Sequence, residues 1–202
     1  FPYYKFTQNP IYNNYGSLNF SSSGSNILDK TNNLKSRVIN DVSFKLNDKI
    51  FQNIGLKNNL NLYFKNLNSI GKNVVDYKSN PQFEVQSLIE FNSELPLMKS
   101  SLNNDQTLIP RVSLRINPSD MKNHTDDKRE ITTDNIFNIN RLGIDDSLES
   151  GYSLTYGINY RSENKEDDYK FLEFKLASVL RNEVEDNIPT QTTLNKKNSN
   201  LF

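Results

Sequence analysis

The chain has 202 residues, with 24 Lys plus Arg balanced by 24 Asp plus Glu, so no bulk positive field is present to hold a nucleic acid. The absence of cysteine removes disulfide frameworks and cysteine metal sites. Mean hydropathy is −0.72, and no run approaches the ~18 apolar residues of a membrane helix, a test that half-apolar barrel strands escape.

In chain order, Phe1 to Thr7 reads as the tail of a strand, and Leu18 and Phe20 head a weak one. Next, Val38, Val42, Phe44 and Leu46 alternate with Arg37, Asp41, Ser43 and Lys45. From Leu56 to Lys65, Leu56, Leu60, Leu62 and Phe64 oppose Lys57, Asn59, Asn61, Tyr63 and Lys65. From Gln82 to Asn92, Phe83, Val85, Ile89 and Phe91 oppose Glu84, Gln86 and Glu90. From Thr107 to Asn117, Leu108, Pro110, Val112, Leu114 and Ile116 oppose Arg111, Ser113 and Arg115. The cleanest alternation is Gly151 to Tyr160, where Tyr152, Leu154, Tyr156, Ile158 and Tyr160 interleave with Ser153, Thr155, Gly157 and Asn159. A last strand runs from Tyr169 to Arg181, with Leu172, Phe174, Leu176 and Leu180 opposing Glu173, Lys175 and Arg181.

Period-two alternation gives each strand two unlike faces. It predicts an all-β, antiparallel up-and-down meander of about eight strands, with strand lengths close to the roughly 9–11 residues of a barrel span. The gaps between strands (8–15, 24–33, 47–54, 66–81, 94–106, 118–150, 161–168) alternate short and long, as the two ends of an outer-membrane barrel do. The expectation is one partial β-barrel domain over 1–202: a segment of a larger transmembrane barrel, left open. Opening at Phe1 without a signal peptide fits an excerpt, and Phe202 reads as a coincidence of truncation. Glu84, Glu90, Arg111, Arg115, Thr155 and Asn159 are the candidates for a wet lumen. Leu60, Leu62, Phe64, Val112, Leu114, Tyr152, Leu154, Tyr156 and Ile158 are the candidates to face lipid. The link 118–150 is expected outside the cell and over the barrel mouth. Its charged part from Met121 to Glu130 should be mobile, and Ile136, Phe137, Ile139 and Leu142 should form an apolar anchor.

Catalytic patterns are poor. His124 is the one histidine, without a nucleophile set, and reads as a solvated loop residue. The pairs Asp126-Asp127, Asp145-Asp146 and Asp167-Asp168 lack EF-hand spacing and read as solvated carboxylates. Glu84 and Glu90 share a face but stand ~20 Å apart at ~3.4 Å per residue, too far for a glycosidase pair. Gly151 and Gly157 read as strand-packing positions. No enzyme, cofactor or metal is expected.

An ordered series of motifs resembles a known family. Lys78-Ser-Asn-Pro81 is followed by the strand from Phe83 to Phe91, then Leu95-Pro96 and Leu108-Ile-Pro-Arg111. Asp134-Asn-Ile-Phe137, Asn140-Arg-Leu-Gly143 with Asp145, and Glu149-Ser-Gly151 lead into the tyrosine strand, with Leu180-Arg181 and Ser199-Asn200 beyond it. Over about 55–202 this is similar to the C-terminal barrel of the LPS-assembly protein LptD (organic solvent tolerance protein) family. It departs at Leu142, Ile144 and Asp146 from the family's usual residues. The resemblance implies a segment of the outer-membrane translocon that assembles lipopolysaccharide into the outer leaflet of a Gram-negative bacterium. Implied partners are lipopolysaccharide, outer-membrane lipids, the LptE lipoprotein plug and the periplasmic Lpt bridge. Two other readings stay open on the residues alone: another outer-membrane barrel (a small eight-stranded protein, porin or receptor segment), and a soluble all-β binding module.

Overall fold

A computed structural model describes residues 2–30, 32–75, 77–167 and 169–202; Phe1, Thr31, Asp76 and Asp168 lie outside the description, and with them parts of the first strand and of the Asp167-Asp168 pair. The strands are β1 Tyr3–Asn13, β2 Gly16–Asp29, β3 Asn33–Leu46, β4 Lys49–Phe51, β5 Leu56–Lys72, β6 Gln82–Glu94, β7 Leu97–Ser100, β8 Asn104–Asn117, β9 Gly151–Asn164 and β10 Phe171–Arg181. They form one ten-stranded antiparallel sheet in the order β1-β2-β3-β5-β6-β8-β9-β10, with β4 on β5 and β7 on β8. The meander is open, because the path begins at β1 and ends at β10 without joining them.

Register carries the face assignment from strand to strand. On β8 and β9, Leu114 pairs with Leu154 and Arg115 with Ser153. On β6 and β8, Phe91 pairs with Leu114 and Glu90 with Arg115. On β5 and β6, Leu60 pairs with Phe91 and Asn61 with Glu90. Like faces like along these pairs, so this part of the sheet has one polar and one apolar side.

Several predicted boundaries move. β2 runs on to Asp29 and β5 to Lys72, so the predicted links 24–33 and 66–81 shrink to 30–32 and 73–81. The extension was hidden because the polarity of the faces inverts there. Leu67 and Ile39 turn to the polar side and pack with Tyr77 and Val74, while Asn66 and Asn68 take the other face. Backbone pairing ignores that exchange. Conversely, the predicted short links 47–54 and 94–106 contain β4 and β7, which continue the β3 and β6 pairings. Pro96 cannot donate to a ladder and marks the break before β7. The alternation of short and long ends therefore does not hold along the chain; the asymmetry rests on 118–150. The last strand begins at Phe171 rather than Tyr169.

Residues 118–150 and 182–202 lie on the polar side of the sheet and supply the larger core. Met121, Ile131, Ile136, Leu142 and Ile144 pack with Ile188 and Leu194 against Ala177 and Val179 of β10, with Phe137 and Phe202 at the margin. The segment from Met121 to Glu130 is thus not free: Met121 is buried, and Lys122 pairs with Glu84 at 2.8 Å. The expected apolar anchor forms around Ile136 and Leu142, with Phe137 beside it and Ile139 half-buried. The C-terminal residues pair with the outer edge of β10, with Arg181 N–H donating to Lys197 C=O at 2.7 Å and Ser199 N–H to Val179 C=O at 2.9 Å. Phe202 exchanges backbone bonds with Ala177, at 3.1 and 2.9 Å.

Candidate functional site: the covered polar face

The polar face is roofed by the 118–150 loop, and the contact is made largely by charge. Arg141 and Glu149 of the loop form a two-pronged pair, Nε to Oε2 at 2.6 Å and Nη2 to Oε1 at 2.5 Å. Arg181 of β10 donates to the same carboxylate at 2.5 Å and to Ser150 C=O. Arg115 of β8 stands 3.8 Å from Glu149, and its Nε is 3.0 Å from Glu90 of β6. The Arg115 Nη2 donates to Asn138 C=O at 2.6 Å, and Asn61 and Asn92 donate to Glu90. Three guanidinium groups thus meet two carboxylates, every side chain at most 6% exposed.

Taking such charges out of water costs several kcal/mol per ion, recovered only through close pairing and additional hydrogen bonds. Burial pushes the Glu149 carboxyl up, but Arg141, Arg181 and Arg115 outweigh it and hold the group at about 2. Gly151 fits this junction because its φ of +79° suits glycine and a Cβ there would stand 2.9 Å from the Arg181 guanidinium.

A second latch holds the loop at the other side. Tyr77 donates its hydroxyl proton to Asp146 Oδ2 at 3.0 Å and accepts from Arg37 Nη1 at 3.4 Å. His124 lies between Asp127 (3.2 Å) and Asp146 (3.4 Å). The Asp146 hydrogen bond raises the His124 pKa, against burial that lowers it. Burial pushes Asp146 up, but His124, Tyr77 and Arg37 bring it down to about 2. Burial pushes the Tyr77 phenol up to about 12 despite Arg37. His124 and Asp146 therefore lie 3.4 Å apart within the fold rather than in solvent, because the loop folds back onto Arg37 of β3 and Tyr77 instead of projecting into water.

Phe137 makes the third contact. The Arg111 guanidinium lies 4.6 Å from the Phe137 ring centroid, and a Cβ on Gly157 would come within 3.2 Å of the ring. A Cβ at 157 would first meet the Leu176 carbonyl oxygen at 2.6 Å and Ala177 Cβ at 3.0 Å, so the glycine serves the close approach of β10 as well as the seat of the ring.

Glu84, Glu90, Arg111, Arg115, Thr155 and Asn159 all occupy the polar face, and Leu60, Leu62, Phe64, Val112, Leu114, Tyr152, Leu154, Tyr156 and Ile158 the opposite one. Glu90 and Arg115 are brought into contact, and Glu84 serves Lys122. Thr155 is fully buried beneath Arg141. Arg141, Glu149, Asp146 and Tyr77 were not singled out for this contact by alternation, because loop residues have no period that fixes a face; Arg141 and Glu149 surfaced only as letters in the family-like motifs. Among the described residues no cluster of His, Cys, Asp and Glu is arranged to hold a metal ion. The geometry anchors a loop.

No family model matches the chain, and no match was found among curated proteins or solved structures.

Proposed function

We propose that the chain is part of a transmembrane β-barrel of the Gram-negative outer membrane, with its open face in lipid, and that this barrel belongs to the lipopolysaccharide translocon. One observation carries the membrane reading: the polarity of the sheet is inside-out. Arg115 and Glu90 are 2% and 3% exposed, while Phe83, Phe174 and Tyr152 on the other face are 72%, 53% and 46% exposed. A soluble module would leave that apolar face in water, where patches beyond a few hundred Å² are rare. A barrel puts the same residues in hydrocarbon and the charges in a wet interior. Among the described residues no helix is long and apolar enough to cross a membrane, and the spanning elements in this reading are the strands.

The cargo assignment rests on the family-like motif series. Support comes from where those motifs meet: Arg141, the Glu149-Ser-Gly151 motif and Arg181, drawn from three motifs, converge on one junction. The loop would then line the lumen as a built-in partial plug, beside which LptE and the Lpt bridge would act.

Depletion of the full-length protein in its host tests the proposal. Pulse-labelled lipopolysaccharide should accumulate in the inner membrane and fall at the cell surface. Normal delivery would overturn the cargo assignment and favour another outer-membrane barrel. Recovery of the protein in the soluble fraction would overturn the membrane reading.

A further inference from the structure

On the open face, polarity changes within one step along β2, β3 and β5. Phe20, Val42 and Phe64 stand in register across the three strands. The next outward-facing position toward the roof-loop end is Ser22, Asn40 and Asn66, again in register. These side chains bond to one another. Ser22 Oγ donates to Asn40 Oδ1 at 2.7 Å, Asn40 Nδ2 to Asn66 Oδ1 at 3.1 Å, and Asn68 Nδ2 to the same oxygen at 2.7 Å. Asn66 Nδ2 donates to Glu84 C=O at 3.2 Å. The Ser22 proton is spent on Asn40, so the Tyr4 hydroxyl, 3.1 Å away, donates to Ser22 and ends the ladder.

The polar face reverses at the same level. Below the ladder its residues are Asp41 and Lys65, an ion pair at 2.7 Å. Beyond it they are Ile39 and Leu67, buried with Tyr77 and Val74. On the open face beyond the ladder, Asn26, Ser36 and Lys72 mix with Val38, Leu34 and Ile70, a composition ordinary for a surface in water. On β6, Val85 and Phe83 keep apolar surface beside Asn66 and Asn68, so the reversal belongs to β2, β3 and β5. Strand length agrees. β5 has 17 residues, more than the roughly 9–11 that cross a bilayer, and a span of that length counted from Leu56 ends between Phe64 and Asn66.

A primary amide carries two N–H groups. Asn40, Asn66 and Asn68 each spend one within the sheet, and among the described residues the second has no partner. In hydrocarbon those donors would go unmatched, which membrane spans avoid. The phosphate and ester oxygens of a lipid headgroup layer are acceptors that match them. Tyr4, with an apolar ring and a bonded hydroxyl, suits the same depth. We infer that the ladder of Ser22, Asn40 and Asn66 lies in the lipid headgroup layer on the roof-loop side, donating amide N–H groups to phosphate and ester oxygens, and that β2, β3 and β5 stand in water beyond it. The inference rests on the membrane reading above, and it puts the Tyr77 and Asp146 latch outside the bilayer.

Full-length protein free of other cysteines is reconstituted into phosphatidylcholine vesicles with Leu62→Cys, Phe64→Cys, Asn68→Cys or Ser36→Cys, each carrying a nitroxide label. All four positions lie on the open face, away from the inner core. Power-saturation EPR compares collisions with oxygen, which concentrates in hydrocarbon, and with a neutral nickel chelate, which stays in water. Oxygen should dominate at Leu62 and Phe64 and the chelate at Asn68 and Ser36, with the reversal at the ladder. Oxygen dominance at all four positions would put the ladder in hydrocarbon and overturn the inference while leaving the membrane reading intact. Chelate dominance at all four would overturn the membrane reading and the inference with it. A label at Asn68 reached by neither probe would mean that protein covers the ladder, and would overturn the headgroup assignment. Replacing the amides by Asn40→Leu and Asn66→Leu together lengthens the apolar face and should shift the ratio at Asn68 toward oxygen; an unchanged ratio would also overturn the assignment.

Discussion

Arg141 donates from Nη1 to Thr155 Oγ1 at 2.8 Å, which ties the roof loop directly to the floor of β9. That single bond explains why Thr155, a predicted lumen position, is closed to solvent, and why the loop and the strand that follows it act as one unit.

Removing one member of this junction leaves the others as uncompensated buried charges. Arg141→Met should destabilise the loop by about 3–5 kcal/mol. Glu149→Gln should cost more, because Arg141, Arg181 and Arg115 all face that carboxylate. Urea titration of the full-length protein, followed by proteolysis within 118–150, checks the order. Equal sensitivity in the two variants would argue against a shared junction.

The pH dependence follows from the loop's titrating groups. Glu149 and Asp146 are held at about 2, below their ordinary 4.5 and 3.8, so their contribution is full above roughly pH 4.5 and fades as pH falls toward 2. His124 is raised above 6.5, so its contribution is full below that value and is lost as pH rises through its folded pKa. The loop should therefore resist proteolysis best between roughly pH 4.5 and 6.5. His124→Asn should flatten the alkaline side of the profile; a wild-type loop cut more slowly at high pH than inside this window would refute the latch.

Placing a charge on each face tests which one meets lipid. Val112→Arg, on the open face near the middle of β8, should cost about 2–4 kcal/mol in a bilayer. Ser21→Arg, which points into an unfilled part of the polar face, should cost under about 1 kcal/mol. Thr155→Arg is not a fair comparison, since it would drive a second guanidinium against Arg141. Similar losses from Val112→Arg and Ser21→Arg would reject the assignment of faces.

Sidedness can be read by labelling. Asn123, in the roof loop, and Leu102, in the turn between β7 and β8, are both exposed and lie at opposite ends of the sheet. With cysteines introduced in the full-length protein, an impermeant thiol reagent on intact cells should label position 123 and spare 102. The reverse result would invert the topology.

The 202 residues expressed alone should not yield a heat-modifiable, protease-resistant monomer in detergent. Among the described residues β1 has no partner on its outer side, and the terminal residues cover only the Ala177 to Arg181 part of the β10 edge. Unpaired backbone groups cost several kcal/mol each in hydrocarbon and invite aggregation in water. A stable monomer would favour a small closed barrel instead.

The sequence by itself determined the strands and their two faces wherever apolar and polar residues alternate, as from Tyr152 to Tyr160, because a pleated backbone turns a period of two into two sides. It lost the upper halves of β2 and β5, where Leu67 and Asn66 exchange sides. It also lost β4 and β7, too short to show a period. Only the tertiary structure decided what covers the polar face. Arg141, Asp146 and Glu149 sit in a segment without periodicity, and their partners Thr155, Tyr77 and Arg181 lie up to 69 residues away, as with Asp146 and Tyr77 across the latch. Charge in such a loop reads as solvated until the fold supplies an opposite charge within 3 Å, and that meeting depends on loop closure across the sheet, which no local pattern encodes.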